Sequence, residues 1–291
     1  MTTDQSDVEV RFRDAETSPE VSTAAQDSVT AMVSVEEERR RAEAERDAAW
    51  EEATRSTIEE PASDGINVPD PVAPPEIGEL GGPAVEVPLM ADVIVPRGTG
   101  WSNFISANPP FDYDWKWHAG GAPRTLTTTR SSGYAGADCR SGSGAGGGDG
   151  PSIGHAGFGI VRTAPFRFFM SAGAVISARW HYSVAANGIG SSATAEGGYT
   201  LYVFEDGRVV ASTSVKLFRK RVSFQERDTV STGYQTITTS RVAFTMLPGR
   251  LYGFNLGIWA SAERSSGVGA AAAQGLVEGN VSTMTMVGPS M

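Results

Sequence analysis

The amino-acid sequence predicts a mainly β fold, an antiparallel β-sandwich of jelly-roll type held at the end of a polar N-terminal extension. Three observations carry this expectation. Beyond residue 97, about ten short runs rich in β-branched and aromatic residues follow one another, with turn residues between them and no helical period. One pair of runs, 198–215, is a β-hairpin, because Asp206-Gly207 tolerates the positive φ angles of the tight turns whose twist suits paired strands. Charge divides the chain as well: residues 1–90 hold 22 acidic and 7 basic side chains, and residues 91–291 hold 12 and 17. An acidic extension precedes a mildly basic body.

Residues 1–33 are polar, acidic and without sustained periodicity, which predicts a disordered arm with too little apolar area to offset its ordering entropy. Ser34-Val35-Glu36-Glu37 reads as a capping box, and a charged helix follows over 34–60, stopped by Pro61. Val35, Ala42 and Ala49 share one heptad position, but Glu38, Glu45 and Glu52 occupy the matching one, so the helix is not a self-sufficient coiled coil. Glu-Arg pairs one turn apart support a solvated helix, while Val35, Ala42, Ala49 and Trp50 form a shallow stripe suited to docking on a partner. Residues 61–96 carry eight prolines and read as a semi-rigid extended linker, within which 85–95 offers an edge strand.

The body, 97–291, is the β-sandwich domain. Phe111, Tyr113, Trp115 and Trp117 alternate with Asp112, Asp114, Lys116 and His118, the pattern of a half-buried strand. Residues 124–130 form another strand, and 133–154, nearly all Gly, Ser, Ala and Asp, read as a long exposed loop. Strands resume at 158–163, 167–170 and 174–184, followed by a Gly/Ser/Ala turn region, the hairpin, and its basic continuation 216–224. Threonine-rich 229–240 precedes strands 241–246 and 250–260, joined by Leu247-Pro248-Gly249-Arg250 with proline and glycine placed for a type II turn. A last strand covers 281–287.

Several function classes recede on charge and composition. The acidic extension repels phosphate and the body's basic excess is thin for counterion-release binding, so nucleic acid is not an expected partner. Cys139, alone, excludes an intramolecular disulfide framework. The first residues lack a secretory pattern, predicting synthesis in the cytoplasm, and no apolar run reaches membrane-spanning length.

His118, His155 and His181 are the only histidines, and none stands in a metal-ligand spacing. Cys139, Asp138 and His155 flank the glycine stretch, but a mobile glycine loop holds a Cys-His pair poorly. Gly142 to Gly147 fits Gly-x-Gly-x-x-Gly without the helix that motif requires, and 144–149 matches a calcium-binding glycine repeat only in part, broken at Ala145. No catalytic group, metal ligand or cofactor is expected.

Two surfaces are. Trp101, Tyr113, Trp115 and Trp117 offer aromatic faces to a sugar ring, with Asp112 and Asp114 placed to bond its hydroxyls; core packing or a subunit interface is the competing reading. Lys216, Arg219, Lys220 and Arg221 suit an acidic partner surface, including the extension of a neighbouring copy, or guard an edge strand by charge.

This layout of polar arm, short helix, proline-rich linker and β-rich distal domain resembles the fibre, spike and head-decoration proteins of bacteriophages and related tail-like injection particles. The resemblance covers the whole chain as a layout and rests on no motif. It implies a place in a virion or virion-like particle, a non-enzymatic structural or attachment role, other protein subunits of the assembly as partners, and a homo-oligomer. A carbohydrate-binding module using the aromatics of 101–117 is the alternative. A glycan-degrading enzyme is a second, for which Asp112 and Asp114 are the only close carboxylate pair on one strand face.

Overall fold

The computed structural model describes residues 7–12, 18–58, 104–121, 125–142, 151–164, 167–265 and 268–288. The linker of 61–96, Trp101 and residues 143–150 lie outside them. In chain order the elements are β1 (Asp7–Phe12), α1 (Pro19–Ile58), β2 (Phe104–Ala107), β3 (Tyr113–Gly120), β4 (Thr125–Thr129), β5 (Tyr134–Gly142), β6 (Ser152–Thr163) and β7 (Phe168–Ile189). They continue with β8 (Ser192–Glu205), β9 (Arg208–Ser223), β10 (Glu226–Ser231), β11 (Gln235–Thr238), β12 (Val242–Met246), β13 (Leu251–Ser265) and β14 (Val268–Val287).

Two antiparallel sheets result, and they pack face to face as the sequence predicts. Sheet A runs β1-β3-β6-β13-β8-β9, and sheet B runs β10-β7-β14-β5-β4, with β11 and β12 also pairing with β7 and β2 with β14. The predicted hairpin is β8 and β9, turning at Asp206 and Gly207 with φ of 47° and 79°. The predicted proline-glycine turn is present too: Gly249 has φ of 77°, and the Arg250 N–H donates to the Leu247 carbonyl at 3.3 Å.

The glycine- and alanine-rich stretches differ from expectation. Residues 134–142 and 152–154 are strand rather than loop, β7 runs unbroken to Ile189, and β14 starts at Val268. Packing explains this. Ala135, Ala137 and Cys139 of β5, Ala193 and Ala195 of β8, Ala260 and Ala262 of β13, and Ala271 and Ala273 of β14 are all buried in one cluster between the sheets. A side chain at Gly275 would place its Cβ 2.8 Å from the Ser261 carbonyl oxygen of the facing sheet. Where the sheets approach this closely, small residues are required, and their weak strand propensity yields to the fit.

The N-terminal extension differs as well. Residues 7–12, expected within the disordered arm, form a strand with Val8 opposite Trp117, Val10 opposite Trp115 and Phe12 opposite Tyr113. The helix begins at Pro19 rather than at Ser34. Ser18 is its cap, accepting from the Val21 N–H at 3.3 Å, with Pro19 at the first helical position and Glu20 in the first turn. Ser34 sits inside the helix, donating to the Thr30 carbonyl at 3.2 Å. What orders residues 19–33 is burial: Ala25, Val29 and Met32 recur at helical spacing and are buried against sheet A, and Val33 is buried as well.

Sheet A is therefore apolar on both faces, and α1 makes a third layer on the outer one. Tyr113, Trp115, Tyr202 and Phe204 meet Ala25, Val29 and Met32 there. Glycines make the aromatics fit. A Cβ at Gly257 would fall 2.4 Å from the Trp115 ring and one at Gly159 2.1 Å from the Tyr113 ring, so both rings lie in slots that glycine leaves open. Gly257→Ala should lower stability by about 1–3 kcal/mol, the range for overpacking a tight core. Gly233→Ala, where nothing lies within 4 Å, should change it by about 0.5 kcal/mol or less. Equal urea midpoints for the two variants would contradict the slot.

Candidate functional site

Across the outer face of sheet A, Trp117, His155, Trp259, Gly198 and Lys216 stand opposite one another in successive strands. The next row inward is Trp115, Gly157, Gly257, Thr200 and Ser214. Helix α1 crosses above these rows and lowers Glu36, Arg39, Arg40 and Glu43 onto them, positions spaced so that one helical face carries all four. The buried aromatic floor thus acquires a charged lid.

The lid is bonded in detail. Glu36 is wholly buried, and its carboxylate accepts from the Tyr202 hydroxyl and from Arg39 Nη2, each at 2.5 Å. Arg39 Nη1 donates to Ser214 Oγ at 2.6 Å. Lys216 Nζ bridges Glu196 at 2.9 Å and Glu43 at 3.3 Å. Both arginines stand over the Trp259 ring, 5.6 Å and 5.3 Å from its centroid, in cation–π geometry.

His155 lies below, fully buried between Trp117, 4.6 Å away by ring centroids, and Trp259, 6.0 Å away. Arg40 Nη2 is 3.4 Å from His155 Nε2. A guanidinium only donates, so Nε2 accepts and the imidazole proton sits on Nδ1. Burial first, then the positive charges of Arg40 and Arg39, hold this histidine well below its ordinary value. Burial likewise draws Arg40 down, against the opposing pull of Glu36.

Each residue singled out in the sequence has a definite place. Tyr113, Trp115 and Trp117 are at most 1 % exposed, so their faces meet helix and sheet rather than solvent, and the expected sugar platform is core. Asp112 accepts from the Val161 N–H at 2.8 Å and from Arg162 at 2.7 Å; Asp114 accepts from Thr128 at 2.6 Å and pairs with Arg130 at 3.6 Å. Both tie β3 to its neighbours. Val35 packs half-buried beside the helix–sheet cluster, Ala42 and Ala49 are exposed, and the Trp50 side chain lies outside the described residues.

The basic run of β9 meets acids of its own chain. Beyond the Lys216 bridges, Arg219 pairs with Glu196 at 2.9 Å and Lys220 with Asp228 at 2.8 Å, while Arg221 stands half-buried opposite Thr194. An acidic partner was expected for this strand, and Glu43 of the helix supplies part of it within the molecule. Cys139 and His155 do not bond each other. The thiol donates to the Ala260 carbonyl at 3.2 Å, and burial pushes it up to about 12, leaving it protonated and unreactive at neutral pH.

Glu36, Arg39, Arg40, Tyr202 and Trp259 escaped the sequence reading as a group. The signal was there in part: Ser18-Pro19-Glu20 marks a helix start, and carrying the helix back to it puts Glu36 and Arg40 on the face of Ala25, Val29 and Met32. No protein-family model matches the chain, and no curated protein matches it significantly. Among the described residues no three His, Cys, Asp or Glu side chains gather as a metal site, and no helix is long and apolar enough to cross a membrane.

Two expectations test this seam. Tyr202→Phe removes one donor to a buried carboxylate and should lower stability by about 1–3 kcal/mol in chemical denaturation; an unchanged midpoint would mean that Glu36 is solvated. The second concerns pH. His155, and more weakly His181, stay neutral in the fold where the unfolded chain would protonate them. Their stabilisation is complete above the unfolded value of about 6.5 and is lost as pH falls below it. Urea midpoints should decline between pH 7 and pH 5, and His155→Gln should flatten that slope more than His181→Gln does.

Proposed function

We propose that this chain is a structural attachment protein, joined to an assembly through its N-terminal helix and displaying the β-sandwich. One observation carries the reading. Helix α1 is 40 residues long, about 60 Å at 1.5 Å per residue, and among its described side chains Glu43 is the last that bonds to a strand. Ala44, Glu45, Arg46, Ala48 and Ala49 are exposed. A helix gripped as far as Glu43 and exposed at the described side chains just beyond it joins two bodies: the grip fixes the sandwich, and the exposed stretch presents surface to another chain.

The chemistry of the exposed stretch suits a protein partner. Ala42 and Ala49 leave a shallow stripe on which another backbone can approach, and the charged residues around it keep the helix soluble until it docks. The neutralised basic strand supports the same reading, because the lid salt bridges hold the helix in one direction relative to the sandwich. A second copy of the chain is the partner we assign, in keeping with a homo-oligomeric particle component.

Light scattering on the full chain and on an Ala42→Glu/Ala49→Glu variant tests this. The full chain should have a multiple of the single-chain mass, and the variant should fall to a single copy with an unchanged unfolding midpoint, since both positions are exposed. A full chain that remains a single copy at high micromolar concentration overturns the reading. So does a variant that keeps the mass of the parent.

A further inference from the structure

The outer face of sheet B points away from α1, and its polar side chains form rows across the strands. Tyr134, Asn280 and Ser177 stand opposite one another on β5, β14 and β7, and Gly136, Glu278 and Arg179 form the adjacent row. Glu278 is the hub: Oε2 accepts from the Tyr134 hydroxyl at 2.7 Å, and Oε1 accepts from Arg179 and, at 3.5 Å, from the Tyr234 hydroxyl. The Arg179 guanidinium also lies 5.1 Å from the Tyr234 ring centroid. Two tyrosines are thereby fixed on either side of one ion pair.

Between them stand groups with unused bonding capacity. Ser177 and Asn280 are half-buried on the two central strands, and their side chains make no hydrogen bond among the described residues. On a sheet face, neighbouring strands are about 4.8 Å apart, so the row from Tyr134 to Ser177 spans roughly 10 Å. One or two sugar rings cover that span. Arg179 and Glu278 cancel each other, so the row offers no unmatched charge to an ionic ligand. It offers a hydroxyl, a carboxamide with both donor and acceptor, and the flanks of two immobilised rings, the combination that holds polyhydroxylated ligands.

We propose that Tyr134, Ser177, Arg179, Tyr234, Glu278 and Asn280 form a binding site for a neutral glycan. Ser177 and Asn280 bond the sugar hydroxyls, Tyr134 and Tyr234 flank the ring, and Glu278 with Arg179 holds the tyrosines in place. The ligand class expected from the buried aromatics of β3 thus finds its surface on the other sheet. The inference rests on the attachment reading only for the direction in which this face is displayed. Binding by the free protein is measured independently of its mass, so either proposal fails without the other.

The test titrates the purified full chain with three neutral polysaccharides, a glucan, a galactan and a mannan, by calorimetry. Wild type should bind at least one. The Ser177→Ala/Asn280→Ala variant should bind that polysaccharide about tenfold or more weakly, the loss expected for one or two hydrogen bonds. Its unfolding midpoint should be unchanged, because neither side chain bonds within the protein. Tyr134→Phe, which frees the ring from Glu278, should weaken binding as well. Binding of none of the three polysaccharides by wild type, or undiminished binding by both variants, overturns the assignment.

Discussion

Sheet A is apolar on both of its faces, and the rest of the structure follows from that constraint. A single sheet with Phe158, Leu256 and Leu201 on one side and Trp115, Tyr202 and Phe204 on the other cannot be satisfied by one opposing sheet. Sheet B covers the inner face. The outer face would otherwise present large aromatics to water, and burying each such side chain stabilises the fold by about 1.5–3 kcal/mol. Helix α1 and strand β1 close it. The acidic extension, which composition alone sets apart from the body, is thus half of what makes the body complete.

The helix brings its charges with it. Glu36 is carried beneath the surface, where an ionised carboxylate is tolerated only with partners, and Tyr202 and Arg39 provide them. Arg40 is carried over His155 and Trp259, where the ring face and the lone pair of Nε2 replace lost water. These contacts fix the rotation of the helix about its axis more tightly than apolar packing would. The two sheets also divide the polar chemistry between them: on sheet A it is enclosed, and on sheet B rows such as Tyr134, Asn280 and Ser177 remain partly open.

What the sequence disclosed was local. The Asp206-Gly207 hairpin, the Pro248-Gly249 turn and the alternation of Tyr113, Trp115 and Trp117 in β3 depend on residues close together in the chain and stand as read, whereas Phe111, expected on the same strand face, precedes β3 and packs between the sheets. The start of α1 was less legible, since Ser18-Pro19 is a short signal inside a polar stretch and the stripe behind it becomes meaningful only against a sheet to cover. Strands β5 and β14 were hidden by their glycines and alanines, because propensity reports loops where tight inter-sheet packing demands small residues. The direction in which Trp115 faces was not local at all. It depends on Met32, far away in sequence. The polar cluster on sheet B was further from reach, since Tyr134 and Glu278 are 144 residues apart and only strand register makes them neighbours.

Strands β13 and β14 follow all the other described strands in sequence, yet β13 lies between β6 and β8 and β14 lies between β7 and β5. Synthesis therefore delivers the middle of both sheets after the strands that flank it. Until β13 arrives the helix has no closed floor to rest on, and its apolar stripe and the β3 aromatics stay uncovered. A chain interrupted before residue 250 never acquires that floor. The outer layer is thus completed by a strand made late, and truncation upstream of β13 leaves the β3 aromatics without the neighbours that seat them.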